Sequence, residues 1–157
     1  MTTIFEATMK YDKVGMSVAE AYAKLSTCCR KQVGASILDT EGHTIATGYN
    51  GTLPGMKHCK DVFTDMNYIK FKEDHLVFAK KYEVHAEINA IITAGKLNAN
   101  LKDAILYTTL SPCADCSKAI AAAGIKRVVY KEKYDREQIC FEFLPECGVK
   151  IEQIEET

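Results

Sequence analysis

The sequence predicts an α/β protein in which helices cover a mixed five-stranded sheet. Two strand-like runs, 32–39 and 43–50, flank a short turn at 40–42, which indicates an antiparallel hairpin. From residue 84 onward, helical and strand-like patterns alternate, and each helix stops at or just before a glycine. A hairpin followed by β-α-β-α-β gives a sheet with both antiparallel and parallel pairs.

The remaining elements follow in order, without repeats or linkers. Residues 14–27 predict an amphipathic helix, and 51–83 predict a Gly/Pro-containing loop followed by one short helix. The apolar positions at helical spacing in the first helix are Val14, Val18, Ala21, Tyr22 and Leu25. The later helices are expected at 85–95, 113–123 and 135–146, and the strands at 104–109, 126–131 and 148–154.

The composition is typical of one globular domain spanning residues 1–157, with 47% hydrophobic and 26% charged residues. A net charge of -1 argues against a broad nucleic-acid surface. No apolar run reaches the roughly 20 residues of a membrane span, and the first residues do not resemble a signal peptide. We therefore expect a cytoplasmic protein that engages neither membrane nor nucleic acid.

Seven cysteines without an export signal are expected to be thiols or metal ligands. Cys113 and Cys116 lie in "SPCADC", directly after a predicted strand and at the start of a predicted helix. Three residues apart in a first helical turn, their sulfurs can bind one metal ion. Cys140 and Cys147 fall in a helix and at its end, where buried free thiols are expected.

A histidine and a glutamate open another predicted helix in "VHAEINA". His85 supplies a nitrogen ligand, and Glu87 can exchange a proton with a water molecule beside the metal. Both helices begin at the same edge of the predicted sheet, so the two motifs are expected to meet there. Ile88, Ile91 and Ile92 are expected to anchor the helix.

The two halves combine into H-x-E followed by P-C-x-x-C, a pattern typical of zinc nucleobase deaminases. Taken singly, His85 could be a hydrogen-bonded core residue and Glu87 an ordinary first-turn acid. Cys113 and Cys116 could be buried thiols or a redox pair. The joint pattern favours a catalytic zinc with His85, Cys113 and Cys116 as ligands and Glu87 as the proton carrier.

Beyond this motif, residues 14–154 resemble the deoxycytidylate (dCMP) deaminases, particularly the phage type, of the zinc-dependent cytidine/deoxycytidylate deaminase family. The stretches that carry the resemblance are "STCCRKQVGASI" (26–37), "GYNGTLPGMKHC" (48–59), "VHAEINAI" (84–91), "LYTTLSPCADCSKAIAAAGIKRVVY" (106–130) and "YD" (134–135). The resemblance implies the three-layer cytidine-deaminase fold. It also implies zinc-dependent hydrolysis of dCMP to dUMP and ammonia, a step that supplies dUMP for dTMP synthesis.

Further residues are assigned by the resemblance alone. It implies that the nucleotide is bound by Asn50, Arg30, Ser111 and Tyr134. Asn50 could equally be a turn residue, and Arg30 a surface cation. A second, structural zinc is implied at Cys28, Cys59, His75 and Glu83, with His58 and Cys29 as substitutes.

The resemblance also implies a homo-oligomer, typically a hexamer, activated by dCTP with Mg²⁺ and inhibited by dTTP. Gly51 and Gly55 lie in the segment associated with that regulation, although both could simply form turns. Two rival functions remain open on sequence grounds. One is a deaminase of the same fold acting on dCTP, cytidine, guanine or adenosine in tRNA; the other is a non-catalytic, zinc-stabilised nucleotide sensor.

Overall fold

The computed structural model describes residues 9–64 and 68–155, with the description of 68–71 confined to the backbone. Five strands form the main sheet in the order β2-β1-β5-β6-β7, and a two-stranded sheet pairs β3 with β4. The strands are β1 Gly34–Leu38, β2 Thr44–Tyr49, β3 Gly51–Thr52, β4 Glu83–Val84, β5 Ile105–Leu110, β6 Arg127–Glu132 and β7 Lys150–Gln153. The predicted mixed five-stranded sheet is confirmed, with β1 antiparallel to β2 and β5, and β6 parallel to β5 and β7.

Helices cover both faces of this sheet. The described helices are α1 Asp12–Ala23, α2 Cys59–Val62, α3 Tyr68–Tyr82, α4 Ala86–Lys96, α5 Ala114–Ala122 and α6 Cys140–Glu146, of which α1, α4, α5 and α6 pack on this sheet. On one face α1 packs against side chains such as Leu38, Tyr107 and Val129. On the other, α4, α5 and α6 pack against alternate positions such as Leu106 and Val128. The alternation of neighbouring strand residues between the two faces produces three layers.

Helix α1 uses a different face from the one that its apolar stripe indicates. Met16 and Ala19 are buried, whereas Val14 and Leu25 are each 54% exposed. The reason is close packing: a Cβ added at Gly34 of β1 would lie 1.9 Å from the carbonyl oxygen of Ala19. Only the small-residue face of the helix can approach the strand so closely, so the predicted stripe points outward.

The same principle sets the orientation of α4, which carries the first motif. A Cβ at Gly48 of β2 would lie 2.3 Å from the carbonyl oxygen of Ala86. Ala86, Ala90 and Ala94 are completely buried against the sheet, whereas Ile92 is 45% exposed. The expected anchoring of this helix by isoleucines is therefore wrong for Ile92, and alanines make the closest contacts.

A buried ion pair ties the beginning of the described chain to the sheet. Arg127 on β6 donates to both carboxylate oxygens of Asp12, at 2.6 and 2.8 Å, and its Nε donates to Glu152. The hydroxyl of Tyr107 also donates to Asp12, at 2.8 Å. The charges are thus paired and hydrogen-bonded, as burial requires.

Two segments differ from their predictions. The described residues of 51–84 form two helices and two short strands instead of a single short helix. The last helix begins at Cys140 rather than near 135, because residues 133–139 form an irregular segment with a turn at 135–136. None of the described helices is both long and apolar enough to span a membrane.

Candidate active site and metal centre

The two halves of the motif meet where two helices begin. His85 and Cys113 are the N-cap residues of α4 and α5, and both have extended backbone conformations. Their side chains therefore project from the helix ends instead of following the helical periodicity. His85 Nδ1 lies 3.4 Å from Cys113 Sγ and 3.3 Å from Cys116 Sγ. The structure thus brings the three predicted ligands together, although they lie in separate parts of the chain.

These distances fit a tetrahedral zinc ion. Bonds of about 2.3 Å to sulfur and about 2.0 Å to nitrogen place the nitrogen about 3.5 Å from each sulfur. The three ligand atoms all lie within 4.8 Å of one another. Two thiolates and one imidazole also form a donor set that zinc prefers, and three protein ligands leave a fourth position open.

Protonation within this trio also suits a cation. Hydrogen bonds from Cys116 and from His85 lower the pKa of the Cys113 thiol to about 4. The hydrogen bond to Cys113 in turn raises the pKa of His85 to about 9. The pKa of the Cys116 thiol is raised by the hydrogen bond between Cys116 and Cys113 and by burial. A divalent cation would displace the protons on His85 and Cys116 and bind all three groups.

Glu87 is held beside this trio and is only 4% exposed. The hydroxyl of Thr108 donates to its Oε1 at 3.3 Å, and the Cys116 thiol to its Oε2 at 3.6 Å. Burial raises the pKa of the Glu87 carboxyl. A buried carboxyl with a raised pKa beside the ligand trio is placed to exchange a proton with a water molecule there. Thr108 is a contact that the sequence motif did not identify.

A cavity of about 260 Å³ opens from this centre. Among its lining residues Glu87 is buried, whereas Lys31 and Arg136 are exposed and Arg30 is half-buried. The buried part of the lining therefore carries the Glu87 carboxyl, and the more exposed part carries three cations. Lys31 and Arg136 were not identified from sequence, because an isolated surface cation carries no local signal.

Asn50 lines the cavity and also supports its wall. Its Oδ1 accepts from Val33 N at 2.8 Å, and its Nδ2 donates to the Lys31 carbonyl at 2.7 Å. Each group has capacity for one further hydrogen bond. Asn50 thus holds the segment that carries Arg30, and its nucleotide contact stays a prediction.

Ser111 and Tyr134 also border the cavity. The backbone N–H of Tyr134 donates to Ser111 Oγ at 2.7 Å, and that of Ser111 to the Glu132 carbonyl at 2.9 Å. These contacts join the ends of β5 and β6. Whether the two residues contact the nucleotide is likewise a prediction.

A second group of donors consists of Cys28, Cys59, His75 and Glu83, and all of these but Cys59 line the same cavity. Their ligand atoms all fall within 4.8 Å of one another, and Cys28 Sγ lies 3.5 Å from His75 Nε2. Oε1 of Glu83 is buried, and no described group forms a hydrogen bond with it. Such an orphaned carboxylate oxygen is costly unless a cation is present. The donor set therefore fits zinc as well.

The two alternative ligands that the resemblance offered, His58 and Cys29, are not part of this donor group. His58 is exposed, and its Nδ1 contacts the Thr27 hydroxyl at 3.2 Å. Cys29 is exposed as well, and its sulfur contacts Cys59 at 3.1 Å.

Among the remaining residues, Gly51 pairs with Val84 in the small sheet that leads to His85, and Gly55 forms a turn at φ 82°. Cys140 is buried as expected, whereas Cys147 is exposed, contrary to expectation.

Comparison with known proteins agrees with this geometry. The family model for the cytidine and deoxycytidylate deaminase zinc-binding region matches residues 9–132. The chain is 33% identical to the deoxycytidylate deaminase of enterobacteria phage T4 over 150 residues, covering 77% of each protein. It is 35% identical to ComE operon protein 2 of Bacillus subtilis over 147 residues, covering 94% of this chain and 72% of that protein.

A solved structure, the dCMP deaminase of cyanophage S-TIM5 in complex with dCMP and dUMP, is similar with a TM-score of 0.75 and 31% identity. The match covers 92% of this chain and 97% of the phage chain. The fold and the site together define a zinc-binding deaminase. The chain belongs to the cytidine and deoxycytidylate deaminase family.

Proposed function

We propose that the protein catalyses the hydrolytic deamination of dCMP to dUMP with release of ammonia. The observation that carries the proposal is the buried Glu87 beside His85, Cys113 and Cys116, in a cavity with cations toward solvent. The phage T4 protein is named a deoxycytidylate deaminase, and the cyanophage structure contains dCMP and dUMP. These relatives support a nucleotide substrate over a free nucleoside.

The chemistry divides between the ligands and the buried acid. His85, Cys113 and Cys116 would hold the zinc ion, which when bound would lower the pKa of a water molecule and so supply a nucleophile for C4 of cytosine. Glu87 takes one proton from the attacking water and delivers it to N3 of the ring. The same carboxyl then carries the remaining proton of the hydroxyl added at C4 to the amine, which leaves as ammonia when the C4–N bond breaks. Its raised pKa suits a group that must both accept and donate.

Charge favours a phosphate at the outer end of the cavity. Arg30, Lys31 and Arg136 line the cavity and are partly or fully exposed, whereas Glu87 is buried. A guanidinium and an ammonium attract the 5′-phosphate, and the neutral base then reaches the acidic end. A nucleoside lacks the group that these cations would bind.

We predict that the zinc-loaded protein releases ammonia from dCMP in preference to other cytosine substrates. The measurement is initial ammonia release with dCMP, dCTP, cytidine, deoxycytidine and cytosine-containing oligonucleotides. Turnover of cytidine with none of dCMP would contradict the assignment. Nucleotide binding and zinc content without any ammonia release would favour the nucleotide-sensing alternative.

A second zinc at Cys28, Cys59, His75 and Glu83 is part of the proposal, supported by the orphaned Glu83 oxygen and the clustered donors. We predict two zinc ions per chain by elemental analysis, and one in Cys59→Ala, because removing one thiolate ligand weakens the site strongly. Cys140→Ala is the matched control, since this thiol is also completely buried but lies outside both donor groups. One zinc per chain in the unmodified protein would contradict this assignment.

Regulation and assembly complete the proposal. We infer activation by dCTP with Mg²⁺ and inhibition by dTTP, with Gly51 and Gly55 in the responsive segment, in a homo-oligomer that is a hexamer. The outward stripe of Val14, Val18 and Ala21 on α1 offers an apolar surface for such contacts. Sedimentation gives the oligomer size, and dCMP turnover with and without dCTP and dTTP tests the regulation.

A further inference from the structure

The irregular segment 133–139 between β6 and α6 forms one wall of the cavity. Tyr134 and Arg136, both on this segment, line the space. Besides the backbone hydrogen bonds at the start of α6, two hydrogen bonds attach it to other parts of the described chain: Tyr134 N donates to Ser111 Oγ at 2.7 Å, and Ala114 N donates to Glu137 Oε1 at 2.5 Å. Arg136 lies between these two attachment points along the chain.

The hydrogen bond between Ala114 N and Glu137 lies at the start of α5. Ala114 is the first residue of α5 and directly follows Cys113, so Glu137 binds the helical turn that carries two of the three predicted metal ligands, Cys113 and Cys116. The first N–H groups of a helix have no partner within the helix, and a carboxylate there satisfies one of them favourably. Glu137 therefore couples the cavity wall to the start of α5.

Without this bond, little would fix the turn that carries Arg136. Within the described part of the chain, Asp135 and Arg136 are exposed, and the Glu137 contact is the one side-chain hydrogen bond between Tyr134 and α6. An arginine on an untethered turn loses much of its electrostatic benefit, because ordering it on binding costs conformational entropy.

We propose that Glu137 is a positioning residue that holds Arg136 over the phosphate end of the cavity and thereby sets the preference for a nucleotide over a nucleoside. The inference rests on the proposed function, because it assumes a 5′-phosphate at this end. Arg136 contacts the phosphate, whereas Glu137 acts through Arg136 and contacts no substrate.

The steady-state test uses the zinc-loaded enzyme. In Glu137→Ala we expect KM for dCMP to rise about tenfold, the scale of one charge-assisted hydrogen bond, with kcat changed less than about twofold. Arg136→Ala should likewise raise KM for dCMP and leave kcat nearly unchanged. Glu137→Gln should restore KM to within about twofold, since its Oε1 still accepts from Ala114 N. Glu142→Ala, an exposed acid in the first turn of α6, is the matched control and should leave KM unchanged.

Measurements of nucleotide and nucleoside binding test this inference independently of the proposed function. Calorimetry in a Glu87→Gln background measures the dissociation constants of dCMP and deoxycytidine without turnover. We expect Glu137→Ala to weaken dCMP binding about tenfold and leave deoxycytidine binding unchanged. Equal weakening of both, a lower zinc content, or no change in dCMP binding would overturn the role of Glu137. Absence of dCMP turnover by the unmodified enzyme would instead contradict the proposed function, and the binding ratio would still decide the role of Glu137.

Discussion

The Glu87→Gln variant is expected to keep its zinc and its fold while losing dCMP turnover by about 10²- to 10⁴-fold, the usual contribution of a positioned acid or base. The amide has nearly the same shape as the carboxyl, so it can stay in the buried site beside Thr108 and Cys116. It cannot accept the proton of the attacking water or release one to the amine. The deficit should therefore fall on kcat, with KM for dCMP nearly unchanged.

Two measurements and a control variant distinguish this result from a general loss of structure. Zinc content and thermal unfolding should match those of the unmodified protein, because Glu87 is not among the three ligand residues. Glu132→Gln provides the control, since it makes the same substitution at an exposed carboxylate near the site. Deamination of dCMP by Glu87→Gln at an undiminished rate would show that another group carries the proton.

The sheet could be predicted from sequence because its signals are local. The hairpin turn and the alternating patterns after residue 84 each extend over a few residues, and the observed strands follow them. Which face of a helix is buried depends instead on distant residues. Val14 was predicted to pack inward, but Gly34 admits only the face that carries Ala19. No pattern within the helix contains that information.

In the candidate site, too, some residues are identified by local sequence patterns and others only by contacts between distant parts of the chain. The spacing in "VHAEINA" and "SPCADC" predicts the trio and its acid, because each motif opens one helix. His85 and Glu87 are two residues apart, and both can face the site because His85 is an extended N-cap residue outside the regular helix. Thr108, Arg136 and Glu137 join the site only through contacts between separate elements. Nothing adjacent to them in sequence marks them as functional.

The Cys113→Ser variant is expected to lose the zinc of the catalytic trio and to unfold at a lower temperature. Cys113 Sγ connects α5 to His85 at the start of α4, and it also accepts the backbone N–H of Cys116. Zinc at a thousand times its dissociation constant stabilises the native state by about 4 kcal/mol. For a domain of this size, that corresponds to a fall in Tm of roughly 10 °C when the ion is lost.

Thermal unfolding with and without a chelator makes this prediction specific to the metal. Chelation should lower the Tm of the unmodified protein toward that of Cys113→Ser and should affect the variant much less. Cys147→Ser, at an exposed thiol outside both donor groups, should behave like the unmodified protein. Equal zinc content and equal Tm in Cys113→Ser and the unmodified protein would mean that the trio binds no stabilising ion. The short distances among its donors would then reflect hydrogen bonding alone, because a thiolate beside an imidazolium is stable without a metal.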